Sequence, residues 1–326
     1  MVEPEVTRGM LLGKFMPLHR GHLYAIDFAR RYCDELTVLV CSVAAEPIDG
    51  GLRYRWVRES CPPEVGVVDV RDEVPQEPSE HPDFWEIWRE LVWRYAGREL
   101  DFVFASEAYG ERLAGEVGAR FVPVDVAREV VPVSATAIRA DPLGQWEFLP
   151  PVVRAHYAKR VCVFGPESTG KTTLTFELAR RFQTRAVHEY ARPLLASQGG
   201  ECGYEDIEAI GRGQIAAEEA LSRQANRVLF CDTDTLTTVI WSDVLFGKCP
   251  QWIREEADRR RYDLTLLLDV DVPWVEDPQR YLPEGRREFF ERCEEELKKR
   301  GRPYVVIRGS FEERLERAVE AVQDLL

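Results

Sequence analysis

The stretch GPESTGKT, residues 165–172, fits the pattern G-x-x-x-x-G-K-[ST] at every position. An apolar run, RVCVF, leads into it, and KTTLTFELARRF follows with helical character. The order has a physical reason. A strand delivers the chain to a tight glycine loop whose backbone N–H groups face phosphate oxygens, and the next helix adds the positive end of its dipole. Gly165 and Gly170 permit the turn, Lys171 reaches the β- and γ-phosphates, and the Thr172 hydroxyl can ligate Mg2+. Glu167, Ser168, Thr169 and Thr173 complete the expected ATP-binding loop.

Outward from this loop, short apolar runs alternate with longer helical patterns, which predicts parallel α/β architecture. The expected strands of the second half are RVCVFG, TRAVHEY, RVLFCD, LTLLLDV and PYVVIRG. Those of the first half are MLLGKF, LTVLVCS, VGVVDV, DFVFAS and ARFVPVD, with helices at HLYAIDFARRYC and FWEIWRELVWRYAG. The second of these helices sets Phe84, Ile87, Leu91 and Tyr95 on one face, a core stripe. At 326 residues the chain is long for one core, and its halves open on different glycine motifs. Two unlike domains are therefore expected, residues 1–156 and 157–326. The prolines and weak periodicity of DPLGQWEFLPPVVRAHYAKR, residues 141–160, suggest a connector between them.

The remainder of a phosphoryl-transfer site is sought at neighbouring strand ends. VLFCD ends in Asp232, a carboxylate placed to hold Mg2+ with Thr172. TRAVHEYAR is expected to end its strand at Glu189, followed by Tyr190 and Arg192. Glu189 is either a general base for an acceptor hydroxyl or a structural cap and ion-pair partner of Arg192. PWVEDPQR and PEGRREF supply Trp274, Asp277, Arg280, Arg286 and Arg287. The arginines suit a lid over a transferring phosphate, or else a solvated basic face. Trp274 is expected to stack a flat, cationic ring.

The other chemistry-bearing stretch is GKFMPLHRGH, residues 13–22. His19, Gly21 and His22 match the H-x-G-H motif of the nucleotidyltransferase superfamily, at the start of a predicted helix. Two imidazoles there, with Gly13, Lys14 and Phe15 beside them, can hold a triphosphate while pyrophosphate leaves. Downstream, SATAIR brings Ser134, Thr136 and Arg139 in the same superfamily's S-x-T-x-x-R pattern, suited to β/γ-phosphates. The competing reading of both stretches is a pair of helix caps. Zinc at His19 and His22 is rejected, because no third ligand lies near.

Composition narrows the classes. A net charge of −14 argues against sequence-independent binding to DNA or RNA, though not against nucleotides. No apolar run reaches the length of a membrane helix, and MVEPEVTRG has no apolar leader core. The eight cysteines are scattered and form no CxxC pair, as expected of reduced core residues in a cytoplasmic protein. A homo-oligomer is compatible with the sequence.

The pairing resembles the NadR-type bifunctional family, which joins nicotinamide mononucleotide adenylyltransferase to ribosylnicotinamide kinase. The resemblance runs from about residue 9 onward and includes FWEIWRE, ASEAYG, VPVSATAIR, QWEFLPPVVR, HEYAR, CDTDTLTT and DVPWVEDPQR. It implies a Rossmann-like nucleotidyltransferase domain followed by a P-loop kinase domain, and phosphorylation of nicotinamide riboside followed by adenylylation to NAD. It also implies ATP at His19, His22, Ser134, Thr136 and Arg139, and nicotinamide near Trp85 and Trp88. Glu189, Tyr190, Arg192, Trp274 and Asp277 would surround the riboside. The chain departs from the family where D-G-x-R is replaced by Asp277-Pro278-Gln279-Arg280, and a differently shaped loop is expected. Some members also carry an N-terminal helix-turn-helix domain; with about eight residues before the first strand, DNA binding is expected to be absent. Two alternatives are a related fusion acting on another nucleotide, and a nucleotide-sensing regulator with little turnover.

Overall fold

The structure, a computed structural model, describes residues 6–326; the reading of MVEPE as free of a leader lies outside the described residues. The chain divides into two compact units, one ending at Val153 and one spanning Arg154–Leu326.

The first unit runs β1 (Arg8–Gly13), α1 (Arg20–Tyr32), β2 (Glu35–Cys41), α2 (Gly50–Ser60), β3 (Gly66–Val70), α3 (Phe84–Ala96), β4 (Phe102–Ala105), α4 (Tyr109–Val117), β5 (Arg120–Pro123) and α5 (Ala135–Ala140). Its five strands pair in parallel in the order β3-β2-β1-β4-β5. Helices on a parallel sheet cover both faces, so the strand residues Met10, Val38, Leu39, Val40, Val103 and Phe104 are all buried. The chain leaves β1 toward β2 and β3 and later returns on its other side as β4 and β5. That reversal opens a crevice at the C-terminal ends of β1 and β4, the usual ligand position in such sheets.

The division falls within α6 (Pro151–Tyr157), and the second unit runs on through β6 (Lys159–Phe164), α7 (Lys171–Arg181), β7 (Arg185–Val187), α8 (Ala191–Ser197), α9 (Asp206–Ser222) and β8 (Val228–Asp232). It continues through α10 (Thr235–Phe246), α11 (Gln251–Arg259), β9 (Leu264–Leu268), α12 (Arg286–Lys299), β10 (Tyr304–Ile307) and α13 (Phe311–Gln323). The order is β10-β9-β6-β8-β7, again all parallel. Val161, Val163, Leu178, Phe230, Leu266, Leu268, Ile307, Ala318 and Val322 form its core. Because β6 lies in the middle, the loops after β6, β8 and β9 emerge side by side at one edge.

Three local expectations shift. Residues 141–160 are not irregular: a 3-10 turn at Trp146–Phe148 and the helix α6 occupy them, with Trp146, Leu149 and Val153 buried. Proline at the first position of a helix gives up no hydrogen bond, so Pro151 starts α6 where it was read as a breaker. Strand β7 stops at Val187, since only Arg185–Val187 pair with β8, and Glu189 sits in the loop beyond. Strand β1 ends at Gly13, which puts Lys14 and Phe15 in the following loop.

Among the described residues no helix is long and apolar enough to cross a membrane. All eight cysteines are free, and six of them are buried.

Candidate active sites

In the first unit every residue predicted for ATP or nicotinamide lines one cavity of about 910 Å3 at the β1/β4 crevice. Gly13, Lys14, Phe15, His19, Gly21 and His22 come from the loop after β1 and the start of α1, and Ser134, Thr136 and Arg139 from around α5. Trp85 and Trp88 arrive from α3. Both tryptophans also pack on the core, and Trp88 Nε1 donates to the Pro75 carbonyl at 2.9 Å.

The capping reading of the histidines is realised, and both rings also line the cavity. His19 is the N-cap of α1: its Nδ1 accepts from His22 N at 3.4 Å, and His22 Nδ1 accepts from His19 N at 3.3 Å. The two rings stack with centroids 3.6 Å apart, and Phe15 meets His22 edge-on at 4.9 Å. Burial pushes His19 down to about 4, with the charge of Arg128 adding to the effect. His22 is lowered well below its ordinary value by burial, then by His19 and Arg128. Both are therefore neutral near pH 7. An imidazole whose Nδ1 accepts carries its proton on Nε2, so each ring keeps one donor. Ser134 likewise caps α5, accepting from Ala137 N at 3.1 Å, while Arg139 donates to Thr136 Oγ1 at 3.2 Å and to the Met16 carbonyl. Lys14 Nζ is paired with Glu46 at 3.0 Å.

In the second unit the phosphate loop takes the predicted course, with φ of 129° at Gly165 and 85° at Gly170. A Cβ at Gly165 would lie 2.8 Å from the Leu268 carbonyl oxygen, so the loop can pass β9 only as glycine. Lys171 Nζ donates to the Pro166 carbonyl at 2.8 Å, folded across its own loop. Thr172 Oγ1 donates to Asp232 Oδ2 at 2.6 Å, while Asp232 Oδ1 is buried without a hydrogen-bond partner. Burial and the nearby Glu189 push Asp232 up to about 6 against the pull of Lys171 and Thr172.

A cavity of about 170 Å3 beside the loop is lined by Glu167 through Thr173, Glu189, Arg192 and Arg280, all predicted. Glu189 also forms the expected ion pair with Arg192, at 3.4 Å. The other predicted residues, among them Gly165 and Asp232 described above, do not line this space. Tyr190 lays its ring over Gly213 of α9, where a Cβ would sit 2.1 Å from ring carbons. Trp274 lies outside it, with the guanidinium carbons of Arg286 and Arg280 at 5.6 and 5.8 Å from its ring centroid. The cations beside Trp274 are thus the protein's own, and its stacking partner is not the cavity. Asp277 accepts from Arg192 at 3.1 Å, and the Gln279 N–H, then Arg192, holds its carboxyl below the ordinary range. Arg286 donates to the Ser168 and Val272 carbonyls, and its neighbour Arg287 pairs with Asp269 at 2.8 Å. The Asp-Pro-Gln-Arg departure closes as a turn, Arg280 N to Asp277 O at 3.1 Å, with Pro278 at its second position, where a fixed φ suits it.

Several cavity residues escaped the sequence. Trp241 and Tyr281 are the aromatic walls of the second cavity, with centroids 6.5 Å apart. Trp241 sits in the apolar run TLTTVIWSDVLF and reads as core, whereas Tyr281 directly follows the lid motif and was within reach. Gln214 joins the walls, accepting from Tyr190 N at 3.0 Å. In the first cavity Arg128 was missed, and so was Asp125, whose carboxylate accepts from Glu129 N, Val130 N and Val131 N. Backbone in the left-handed region marks both sites. Phe15, Asp125 and Arg128 line the first cavity and Ser168 and Thr233 the second, leaving only Gln183 and Arg227 elsewhere among the described non-glycine residues. Such conformations persist where surrounding structure holds them, commonly around ligands.

These folds and loops define a protein of two parts, a nucleotidyltransferase-type unit followed by a P-loop kinase-type unit. The chain is a homologue of the NadR proteins along nearly its whole length. It is 29% identical over 345 residues to the Escherichia coli K12 protein described as trifunctional NAD biosynthesis/regulator protein NadR, covering 98% of this chain and 83% of the relative. Its identity to the Salmonella typhimurium LT2 protein of the same description is 28%, with the same coverage. Residues 160–314 match the AAA domain family, a P-loop family. Two crystal structures of a NadR protein share the fold. The complex with NR superposes with a TM-score of 0.82 at 23% identity, covering 98% of this chain and 95% of that one. The complex with NAD and AMP-PNP gives 0.79 at 23%, covering 98% and 96%.

Proposed function

We propose that the chain makes NAD in two steps, with residues 157–326 acting as a ribosylnicotinamide kinase and residues 1–156 as a nicotinamide mononucleotide adenylyltransferase. The observation that carries this reading is the presence in one chain of two separate cavities, each joining a phosphate-binding loop to aromatic walls.

In the kinase step the 5′-hydroxyl oxygen of nicotinamide riboside bonds to the γ-phosphorus of MgATP as the bond to the β-bridging oxygen breaks. ADP departs, and Glu189, which lines the cavity, accepts the hydroxyl proton. Lys171 moves from the Pro166 carbonyl to the phosphates, and Arg280 faces the charge that develops on the transferred group. Trp241 and Tyr281 flank the flat ring. Thr172 and Asp232 fit Mg2+, being hard oxygen donors of which Asp232 Oδ1 has no other partner. When bound there the ion supplies charge neutralisation across the β- and γ-phosphates.

In the second step a phosphate oxygen of the mononucleotide attacks the α-phosphorus of another ATP, and pyrophosphate leaves. No protein nucleophile is required, so positioning does the work. His19 and His22 donate from Nε2 as neutral imidazoles, and Lys14, Ser134, Thr136 and Arg139 hold the triphosphate. Trp85 and Trp88 provide the wall for nicotinamide. Free, mostly buried cysteines support a reducing, cytoplasmic setting.

The test is incubation with nicotinamide riboside, ATP and Mg2+, followed by chromatography of mononucleotide and NAD. Lys171→Ala should make NAD only from added mononucleotide, and the double variant His19→Ala/His22→Ala should stop at mononucleotide. Consumption of neither riboside nor mononucleotide by the wild type would overturn the reading.

A further inference from the structure

Two side chains of the phosphate loop that line the cavity also bond the segment between β9 and α12. Glu167 Oε2 accepts from Tyr281 N at 3.0 Å and from Leu282 N at 3.2 Å. Ser168 Oγ accepts from Val275 N at 2.8 Å and from Arg280 at 3.4 Å. The segment between β9 and α12 is thus tied to the loop on both sides of its turn. Tyr281, held at its backbone by Glu167, lines the cavity opposite Trp241, and its hydroxyl donates to the Gly200 carbonyl at 3.2 Å. Glu167 was expected among the ATP ligands; its Oε2 is engaged by this segment.

We infer that Glu167 is a positioning residue for the acceptor, fixing the aromatic wall at Tyr281 rather than binding ATP. This rests on the kinase reading above. The loop that grips the phosphates then also sets the acceptor wall, so donor and acceptor are registered by one rigid element. A carboxylate accepting two backbone N–H groups suits the task, because charge-assisted bonds are short and directional. Burial raises the Glu167 carboxyl above its ordinary value, and the two N–H groups and Lys171 only partly offset that, favouring the ionised form that accepts best. The charged groups facing it include Glu189, which adds to the upward shift.

The experiment compares full-length wild type, Glu167→Ala and Glu167→Gln by two readouts. The first is steady-state phosphorylation of nicotinamide riboside. Glu167→Ala should raise the KM for riboside about tenfold or more, roughly the value of one charge-assisted hydrogen bond, and leave the KM for ATP within about twofold. Glu167→Gln, whose amide oxygen still accepts, should recover most of the loss. The second is amide hydrogen exchange at Tyr281 and Leu282, which needs no turnover and should accelerate in Glu167→Ala only. A rise in the KM for ATP with the riboside KM unchanged would make Glu167 a nucleotide ligand and overturn the inference, and so would unchanged exchange. If wild type phosphorylates no riboside, the kinase reading fails on its own, and exchange decides whether the carboxylate holds the segment. Adenylylation of added mononucleotide and thermal unfolding serve as folding controls.

Discussion

The Thr172 hydroxyl donates to the Asp232 carboxylate at 2.6 Å, joining the start of α7 to the end of β8. The carboxylate's other oxygen is buried and without a hydrogen-bond partner, and the pair consists of hard oxygen donors of the kind a divalent cation prefers. Asp232→Asn keeps the shape and the hydroxyl contact but removes the charge. It should reduce riboside phosphorylation about 100-fold or more and raise the Mg2+ concentration required, while adenylylation of supplied mononucleotide is retained. A magnesium titration of both activities in the two proteins checks this. Equal loss of both activities would point to unfolding.

Protonation of the stacked histidines should weaken the first unit in acid. His19 titrates near 4 in the folded chain and near its ordinary 6.5 when unfolded. Between these values the unfolded state binds the extra proton, so stability falls as pH drops from about 6.5 toward 4 and is unaffected above. The effect of His19 is on the order of 3 kcal/mol at most. Asparagine at the same position still caps a helix but does not titrate. The pH dependence of thermal unfolding should therefore be shallower in His19→Asn than in the wild type, with the two curves nearly parallel above pH 7.

A buried guanidinium holds the phosphate loop from behind. Arg314 is 1% exposed and donates to the carbonyls of Thr169, Asp269 and Gly309 at 2.6, 2.9 and 2.9 Å, besides pairing with Asp271. Removing it strands buried acceptors and a carboxylate. Arg314→Met should cost the second unit about 3–5 kcal/mol, the usual penalty for breaking such a set. Lysine should rescue little, because an ammonium cannot reproduce the planar fork. Chemical denaturation followed in the second unit, alongside the KM for ATP, provides the measurement.

Two tryptophans offer a direct comparison. Trp241 lines the cavity of the second unit, whereas Trp274 lies outside it beside Arg280 and Arg286. Trp241→Ala should raise the KM for riboside about tenfold or more, in line with the loss of a stacked aromatic wall, and Trp274→Ala should raise it less. The reverse order would restore Trp274 as the stacking residue.

Much of this protein was legible as strings of residues. All ten predicted strands formed, because each is an apolar run short enough for a buried parallel strand and bounded by glycine, proline or polar residues. The phosphate loop and the histidine pair were legible for a related reason: their chemistry depends on neighbours in the chain. What went unseen depends on distance. Arg53 is fully buried and bonds the Lys14 carbonyl at 2.8 Å and Glu46 at 2.6 Å, but nothing distinguishes it in GLRYRWVRES from Arg55 or Arg58. The same holds for Arg314 in FEERLERAVE. That Trp274 lies outside the cavity was not legible either, because an aromatic beside a lid motif says nothing about which side of the lid it occupies.

By itself the sequence determined the alternation of strands and helices, the division into two unlike halves and the glycine-bearing loop that opens each half, since these follow from periodicity and from spacings of a few residues. The tertiary structure alone decided which arginines turn inward, which aromatics wall each cavity and that Glu167 faces the lid. Those outcomes are set by packing and hydrogen bonding between segments up to 145 residues apart, as Arg314 and Thr169 are, and no local pattern encodes which partner a long polar side chain will meet.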